Sequence, residues 1–308
     1  MKDLTIATFI SNNEKYNEDF LKFSKELSQK LDVEILIFTD KKVNITDNQI
    51  KQIIKDNTTK YKRIIELIKI CNSKNILCID NDITINHKEL TQFIEEFLSN
   101  DYELAWGKIK SKYVQGIVPN LIRIDKNLSH DFIRPLLWRI NLGISVPGQI
   151  FMMKRDEFFE KLPKKDTVYD DLTIGMIARK NKFKVYYSKL ILGNELPKGN
   201  FKSLITQRKR WAKGLAQSIK NGKSIKMLKF VLIHGFMYHF LWIFYYLILT
   251  LIGINNTNIA IILFLITGVL LAEFKIKDLL WSVSYMIIFP IIHTIWCIAF
   301  IKNIFVIY

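Results

Sequence analysis

Short β-rich runs alternate with longer amphipathic stretches in the N-terminal part of the chain. The runs are LTIATFI at 4–10, VEILIFT at 33–39 and NILCI at 75–79. A helical segment of about 20 residues separates the first two, and YKRIIELIKI, with apolar residues at helical spacing, precedes the third. Strand–helix–strand alternation predicts a parallel sheet covered by helices on both faces. Ligands of such sheets bind at the carboxyl ends of the strands.

The C-terminal part of the chain has a different pattern, because charged side chains nearly disappear. No Asp, Glu, Lys or Arg occurs from Phe230 to Ala272, a stretch that as a single helix would run about 65 Å, roughly twice a bilayer core. The turn-like sequence GINNTN interrupts it, and a second charge-free run extends from Leu279 to Ile301. Very long buried helices of a soluble protein are the alternative. We predict three membrane spans, near 228–252, 257–273 and 279–301.

Charges that flank the apolar segments predict their orientation. The loop at 273–278 carries Lys275 and Lys277, and the segment before the first span is strongly basic. Because positive residues stay on the cytoplasmic side, residues 1–227 are expected in the cytoplasm of a multi-pass cell-membrane protein. A bacterial plasma membrane is the default expectation. The N-terminus has neither a basic region nor a long apolar run, so no signal peptide is expected.

The formal net charge is +16, and much of it lies just before the first apolar segment. The stretch from Lys198 to Lys229 contains ten Lys and Arg residues and no acid. Such a patch suits anionic lipid headgroups or a phosphorylated ligand. Its position beside a membrane argues against nucleic acid as the partner of this basic protein.

Acidic residues follow two of the predicted strands. Asp40 comes directly after the second run, and Asp80 and Asp82 end the third in CIDNDI. Two carboxylates one residue apart suit one Mg²⁺ or Mn²⁺, which takes few protein ligands and completes its shell with substrate phosphates. Turns are also rich in Asp and Asn, so an ordinary turn is the alternative. The sequence contains neither GxxxxGK[ST] nor GxGxxG, so the common phosphate-binding loops are absent.

A second acidic pair, Asp170 and Asp171 in VYDDLTIGMIARKN, precedes a segment with helical apolar spacing. A helix N-cap would explain one of the two carboxylates. A carboxylate at the mouth of a cleft is also a candidate general base toward a hydroxyl group. The two uses are compatible.

The basic stretch SLITQRKRWAKG carries a third pattern. Gln207, Arg210 and Trp211 stand at i, i+3 and i+4, so a helix would present them on one face. Arg208 and Lys209 would point elsewhere. The simpler interpretation is a basic helix that lies on anionic lipid, with its tryptophan at the headgroup level.

The three patterns occur in a fixed order and are followed by apolar spans. This order resembles that of the membrane-bound family 2 glycosyltransferases, which include cellulose, hyaluronan and poly-N-acetylglucosamine synthases. The most specific portion is NELPKGNFKSLITQRKRWAKG, and PGQIFMMKRDEF is similar to the acceptor-side segment of the family. The positions that match are Gly148, Arg155, Glu195, Pro197, Gln207, Arg210, Trp211 and Gly214.

The resemblance implies a GT-A-like, Rossmann-type α/β domain for a nucleotide sugar, followed by C-terminal transmembrane helices. The expected divisions are a cytoplasmic catalytic domain at 1–200, a basic interfacial helix region at 201–227 and a membrane domain at 228–308. The acidic pair is Asp-Asp where the family usually has Glu-Asp.

The resemblance also implies a donor site. Asp80 and Asp82 would hold the diphosphate of a UDP-sugar through Mg²⁺ or Mn²⁺, with Asp82 as direct ligand. Asp40 would contact the uracil. The implied donor-binding residues are Asp40, Lys60, Asp80, Gln207 and Arg210.

On the acceptor side, the resemblance implies that Asp171 is the general base and that Asp170 accompanies it. Trp211, Gly148 and Gln149 would contact a carbohydrate or lipid-linked acceptor. The reaction would be one in-line displacement with inversion at the anomeric carbon. It needs no covalent intermediate.

The identity of the acceptor is left open by the sequence. Processive synthases generally have spans before the catalytic domain as well as after it, whereas this sequence has apolar spans only after it. Extension of a polysaccharide and transfer of one sugar to a polyprenyl phosphate or glycolipid are both compatible with this pattern. A homo-oligomer that shares a channel is a further alternative. A non-enzymatic membrane protein, whose basic patch only anchors it or docks a partner, is the alternative of another class.

Overall fold

A computed structural model describes residues 2–11, 17–43, 47–56, 58–167, 169–221 and 225–305. The strands are β1 (Lys2–Ile10), β2 (Val33–Thr39), β3 (Ile50–Ile54), β4 (Ser73–Asp80), β5 (Ile83–Ile85), β6 (Leu104–Ser111), β7 (Ile150–Lys154) and β8 (Val185–Glu195). The helices are α1 (Glu18–Ser28), α2 (Lys60–Ile70), α3 (His87–Ser99), α4 (Ile117–Asn127), α5 (Arg134–Arg139), α6 (Arg155–Phe159), α7 (Asp170–Lys180), α8 (Phe201–Asn221), α9 (Ile225–Gly235), α10 (Leu241–Asn255), α11 (Thr257–Leu271) and α12 (Ile276–Phe305).

The chain divides into two compact units. The first unit comprises Met1–Lys110 and Ile144–Leu196, and the second comprises Ser111–Gly143 and Pro197–Tyr308. The first unit contains the sheet. The second unit is helical and includes two π-helical segments, Leu128–Ile133 and Phe236–Phe240.

The sheet of the first unit has eight strands in the order β3-β2-β1-β4-β7-β6-β8-β5. β1 pairs in parallel with both β2 and β4, and β2 pairs in parallel with β3. The three strands predicted from the sequence are therefore confirmed as parallel neighbours. The remaining strands make the sheet mixed, because β7 pairs antiparallel with β4 and with β6, and β5 pairs antiparallel with β8. The whole is a mixed GT-A-like α/β sheet.

Burial on both faces explains the continuous apolar run in β2. In β2 the four consecutive side chains from Ile35 to Phe38 are all buried, as expected for a strand that is covered by helices on each side. Helices α1 and α3 pack on the sheet through Phe20, Phe23, Phe93 and Phe97. The ends of these buried strands are thereby held in fixed positions.

Helix α7 lies so close to the preceding chain that its packing requires glycine. A Cβ added to Gly175 would stand 2.0 Å from the carbonyl oxygen of Ile144 and 3.3 Å from Cγ2 of Val146. This contact sets the position of the helix that begins with the acidic pair.

We expect Gly175→Ala to lower the free energy of unfolding by about 3 kcal/mol, because either the helix or the backbone at Ile144 must shift to admit the methyl group. Thermal unfolding in detergent would measure the change. Gly199→Ala is the matched control, since a Cβ there meets no atom within 4 Å. Equal stability of the two variants would show that the close approach is relieved at no cost.

The second unit is organised around a core that α4, α8, α10 and α12 share. Its buried side chains are Val118, Leu121, Ile122, Ile124, Leu204, Trp242, Tyr285, Met286 and Phe289. Helix α4 is also joined to the start of α12 by a bidentate ion pair, in which Arg123 donates to both carboxylate oxygens of Asp278 at 2.9 and 2.8 Å. The short helix α4 is thus bound to the C-terminal helix by apolar and ionic contacts.

Two helical stretches of the described chain are long and apolar enough to cross a membrane. They are Met227–Asn255, which includes α10, and Ile276–Phe305, which is α12. The middle predicted span, 257–273, corresponds to α11, which has 15 residues and rises only about 22 Å, less than the ~30 Å of a hydrocarbon core. The middle helix is shortened because the chain turns at Asn256 and the helix ends at Leu271.

Candidate active site

The acidic triplet lies where β4 ends and the chain turns into β5. Asp80 is the last residue of β4, and Asp82 is exposed in the turn. The side chain of Asn81 between them is buried, and its Oδ1 accepts a hydrogen bond from the backbone N–H of Asn17 at 3.1 Å. The amide of Asn17 in turn donates to the carbonyl of Ile83 at 2.7 Å. The central asparagine therefore anchors the turn, while the two carboxylates are free of that structural role.

Lys60 connects this turn to two other segments of the first unit. It is the first residue of α2, and Thr59 caps that helix by accepting from its N-terminal turn. The Nζ atom of Lys60 lies 2.6 Å from Oδ1 of Asp80 and 3.4 Å from Oδ2 of Asp170. It also donates to the carbonyl of Gly148 at 2.7 Å. One ammonium group thus brings together three segments that the sequence analysis singled out separately.

The cluster carries more negative than positive charge. The pKa of Asp80 is raised to about 7; burial is the largest cause, the charges of Asp82 and Asp170 add to it, and Lys60 opposes it. The side chain is 27% exposed, so solvent screens part of the effect. Burial alone would lower the pKa of Lys60, but its two carboxylate neighbours outweigh burial and the pKa is raised. Lys60 therefore stays charged, and the excess of carboxylates favours a further cation.

The carboxylate oxygens of this cluster suit Mg²⁺ or Mn²⁺ in an open site, which substrate completes, better than an ion enclosed by protein ligands alone. In the described ranges, no three His, Cys, Asp or Glu side chains are arranged to hold an ion by themselves. Asp80 and Asp82 offer hard carboxylate oxygens, and the buried Oδ2 of Asp170 has no hydrogen-bond partner. An ion held by one or two carboxylates and completed by substrate phosphates matches this set.

The second acidic pair starts α7, and Oδ1 of Asp171 accepts a hydrogen bond from the backbone N–H of Leu172 in the first turn at 2.7 Å. Asp170 and Asp171 are the first two helical residues, and Tyr169 at the N-cap position makes no side-chain capping bond. The partial positive charge of the helix N-terminus stabilises carboxylates at these positions. The N-cap interpretation of the pair is therefore wrong in detail, because the helix begins one residue earlier than a capping Asp170 would require.

Gly148 keeps the space between Lys60 and Asp171 open. A Cβ at this position would lie 3.3 Å from Cβ of Asp171 and 3.6 Å from Nζ of Lys60. The next residue, Gln149, accepts from the backbone N–H of Asp80 at 2.8 Å and donates its side-chain amide to Glu195 at 2.9 Å. The start of β7 is thereby bound directly to the acidic end of β4.

Asp40 has a partner that the sequence analysis missed. Its carboxylate accepts from the guanidinium of Arg63, which is buried and also donates to the carbonyl of Ile10 at 2.8 Å and to Thr58 Oγ1 at 3.1 Å. A buried ion pair of this kind holds the end of β2 against α2. The contact of Asp40 with uracil stays a prediction.

The second unit carries the basic motif on α8. Gln207 and Arg210 line the same cavity of about 430 Å³. Its other lining residues are Lys198, Asn200, Lys202, Ser203 and Thr206. The cavity therefore presents three cations and no carboxylate, a composition that suits a phosphate group. Trp211 does not line it; the ring of Trp211 lies against the guanidinium of Arg208, with 4.3 Å between Cζ and the ring centroid.

The fold is a GT-A-like mixed sheet with an acidic turn at the end of β4. The model of the glycosyl transferase family group 2 matches residues 75–308, and the chain belongs to this family. No curated protein sequence matches it significantly.

Several solved structures share the fold at low sequence identity. The mannosyltransferase PcManGT from Pyrobaculum calidifontis, in complex with GDP-Man and Mn²⁺, superposes with a TM-score of 0.54 at 12% identity, over 99% of this chain and 87% of that one. Glucosyl-3-phosphoglycerate synthase from Mycobacterium tuberculosis, in complex with phosphoglyceric acid, has a TM-score of 0.50 at 13% identity, over 71% and 79%. TarS 1-349 from S. aureus has a TM-score of 0.50 at 14% identity, over 76% and 72%.

Proposed function

We propose that this chain is an inverting, metal-dependent transferase that moves a sugar from a UDP-sugar to a growing polysaccharide at the membrane. The observation that carries the proposal is the contact of one lysine ammonium, Lys60, with Asp80 and Asp170 at a strand end. The proposal places the first unit in the bacterial cytoplasm and the apolar helices in the cell membrane as a multi-pass anchor. The basic stretch before these helices would also bind anionic lipid.

The donor would be held through a bound metal ion and by basic and amide side chains. Asp80 and Asp82 would bind Mg²⁺ or Mn²⁺, and the bound ion would supply positive charge to the diphosphate. Gln207 and Arg210 would contact the same diphosphate from the basic cavity on α8. The arginine fork can bind two phosphate oxygens at once and stabilise the charge that accumulates on the leaving group.

The transfer itself would be a single displacement. The acceptor hydroxyl oxygen bonds to the anomeric carbon while the bond from that carbon to the diphosphate oxygen breaks. Asp171 takes the hydroxyl proton, and the nucleoside diphosphate leaves with the bonding electrons. Asp170 stays paired with Lys60 and supports the start of the helix. Trp211 offers a flat apolar surface on which an acceptor sugar ring can stack.

A second candidate is the transfer of one sugar to a polyprenyl phosphate or a membrane glycolipid. The observation that favours it is the small number of helices of spanning length, two in the described part of the chain. Two helices cannot enclose a polymer channel, so a polysaccharide product would need a homo-oligomer or another exit. The donor chemistry is the same in both cases.

The function is tested by nucleotide release from purified protein in detergent with Mg²⁺ or Mn²⁺. Donors would be UDP-glucose, UDP-N-acetylglucosamine, UDP-galactose, UDP-glucuronate and GDP-mannose, the last because the Pyrobaculum structure contains GDP-Man. Product length on a gel separates a polysaccharide from a single transfer to an extractable lipid. Absence of release from every donor with either metal would overturn the proposal.

Arg210 and Lys209 distinguish a donor-binding helix from a helix that only binds lipid. Both side chains are exposed on α8, but only Arg210 lines the basic cavity. We expect Arg210→Ala to reduce turnover by about a hundredfold, and Arg210→Lys to remain poor because a point charge cannot replace a bidentate contact. Lys209→Ala should lose only about 1 kcal/mol of lipid attraction.

Turnover and UDP affinity of the three variants would be measured in the same lipid mixture. Similar small effects of the Lys209 and Arg210 alanine variants would identify the helix as a lipid-binding surface only. In that case Gln207 and Arg210 would not be donor-binding residues.

A further inference from the structure

Arg208 is a buried basic residue of α8. Its side chain is 6% exposed, whereas its neighbours Lys209 and Arg210 are exposed. A terminal nitrogen of Arg208 donates to Oδ2 of Asp125 on α4 at 2.5 Å. The other oxygen of that carboxylate accepts from the hydroxyl of Tyr285 on α12 at 3.0 Å. A buried charge persists only with such partners, so three helices of the second unit fix the position of this guanidinium.

The same guanidinium covers an aromatic ring of its own helix. Its Cζ atom is 4.3 Å from the ring centroid of Trp211 and 5.7 Å from that of Phe289 on α12. Residues three apart on a helix share a face, and a cation within about 6 Å of a ring centroid is attracted to its π face. Because Arg208 is fixed by other helices, it restricts the plane of the Trp211 ring.

We propose that Arg208 is a positioning residue that orients Trp211 for the acceptor. The inference rests on the proposed function, in which Trp211 contacts the acceptor. Arg208 does not line the basic cavity that contains Gln207 and Arg210. Its loss should therefore weaken acceptor binding and leave donor binding unchanged. A pair that only joined helices would affect both substrates through the stability of the whole unit.

The ring contact is tested without any enzyme turnover. The chain has six tryptophans, so the Trp211 signal is the difference between the fluorescence of a protein and that of its Trp211→Phe counterpart. In Arg208→Met we expect acrylamide to quench this signal about twofold more strongly, because one ring face is uncovered. Lys209→Met, on the exposed side of the helix, should leave the quenching unchanged. Unchanged quenching in Arg208→Met would overturn the proposal.

The effect on the acceptor is tested with polyprenyl phosphate and octyl glucoside as acceptor probes. We expect Arg208→Met to raise the acceptor KM about tenfold, the scale of one desolvated cation–π contact. The affinity for UDP with Mn²⁺ should stay within about twofold of wild type, and Tyr285→Phe, which keeps the Asp125 pair, should raise the acceptor KM about threefold. Equal losses of acceptor and UDP affinity would overturn the proposal.

Two further outcomes can be distinguished from a failure of the proposal: a variant that does not fold, and a wild-type protein that shows no activity. If Arg208→Met does not fold, Arg208→Lys keeps the charge but loses the planar stacking, and the same two readouts apply to it. If the wild-type protein releases no nucleotide from any donor, the proposed function fails, and the quenching comparison alone decides whether Arg208 orients the ring.

Discussion

Asp82→Asn should eliminate sugar transfer while the protein remains folded in detergent. The substitution preserves the size of an exposed side chain in a turn that Asn81 anchors, so the fold has no reason to change. It removes one of the two carboxylates proposed to hold the metal. Because charge stabilisation by a bound metal contributes several kcal/mol to such reactions, turnover should fall by at least about a hundredfold.

Nucleotide release and Mn²⁺ affinity in the presence of UDP would both be measured for this variant. Asp101→Asn is the matched control, because that carboxylate is 82% exposed and pairs only at the surface with Lys154. Full activity of Asp82→Asn, or of wild type in excess chelator, would refute the metal assignment.

Asp171→Asn should reduce the transfer rate by about a hundredfold or more, the usual scale for loss of a general base. The amide cannot accept the hydroxyl proton, so the chemical step fails. UDP affinity should persist, because in the proposed mechanism this side chain does not touch the diphosphate. Single-turnover rates with saturating donor would separate the chemical step from binding.

Asp170→Asn provides the comparison within the same helical turn. Its Oδ2 lies 3.4 Å from the Lys60 ammonium, so the substitution removes one of two carboxylate neighbours of that lysine and leaves Asp80 as the other. A smaller loss of rate is expected. An inactive Asp170→Asn together with an active Asp171→Asn would reverse the two roles.

The parallel half of the sheet could be predicted because the burial of each strand is visible in its own short sequence. β1, β2 and β4 each contain a run of at least four consecutive buried residues, and amphipathic helices separate them in the sequence. The antiparallel half has no comparable local sequence pattern. β7 is a five-residue strand whose partner β4 lies far away in the chain, and nothing in IFMMK states the direction of that pairing.

The candidate site also has features that could be predicted from the sequence and features that could not. The acidic turn and the acidic pair are local patterns. The helical spacing predicts one shared face for Gln207, Arg210 and Trp211; Gln207 and Arg210 do line one cavity, but Trp211 does not, because its ring lies against Arg208. The contacts of Lys60 and Arg208 are not local, because each charge meets carboxylates from distant parts of the chain. Spacing on one helix cannot show which charged side chain points inward and finds such a partner.

The shared core of the second unit has a practical consequence for protein production. A shortened chain that stops before α9 looks attractive, since it would omit the apolar helices and still contain the whole basic motif. It would also remove Tyr285, Met286 and Phe289, which cover α4 and Leu204 of α8. The Arg123 and Asp125 side chains would lose their α12 partners as well. Such a fragment would lack the apolar helices that require detergent. It would, however, expose the apolar surface that those helices cover beside the basic motif.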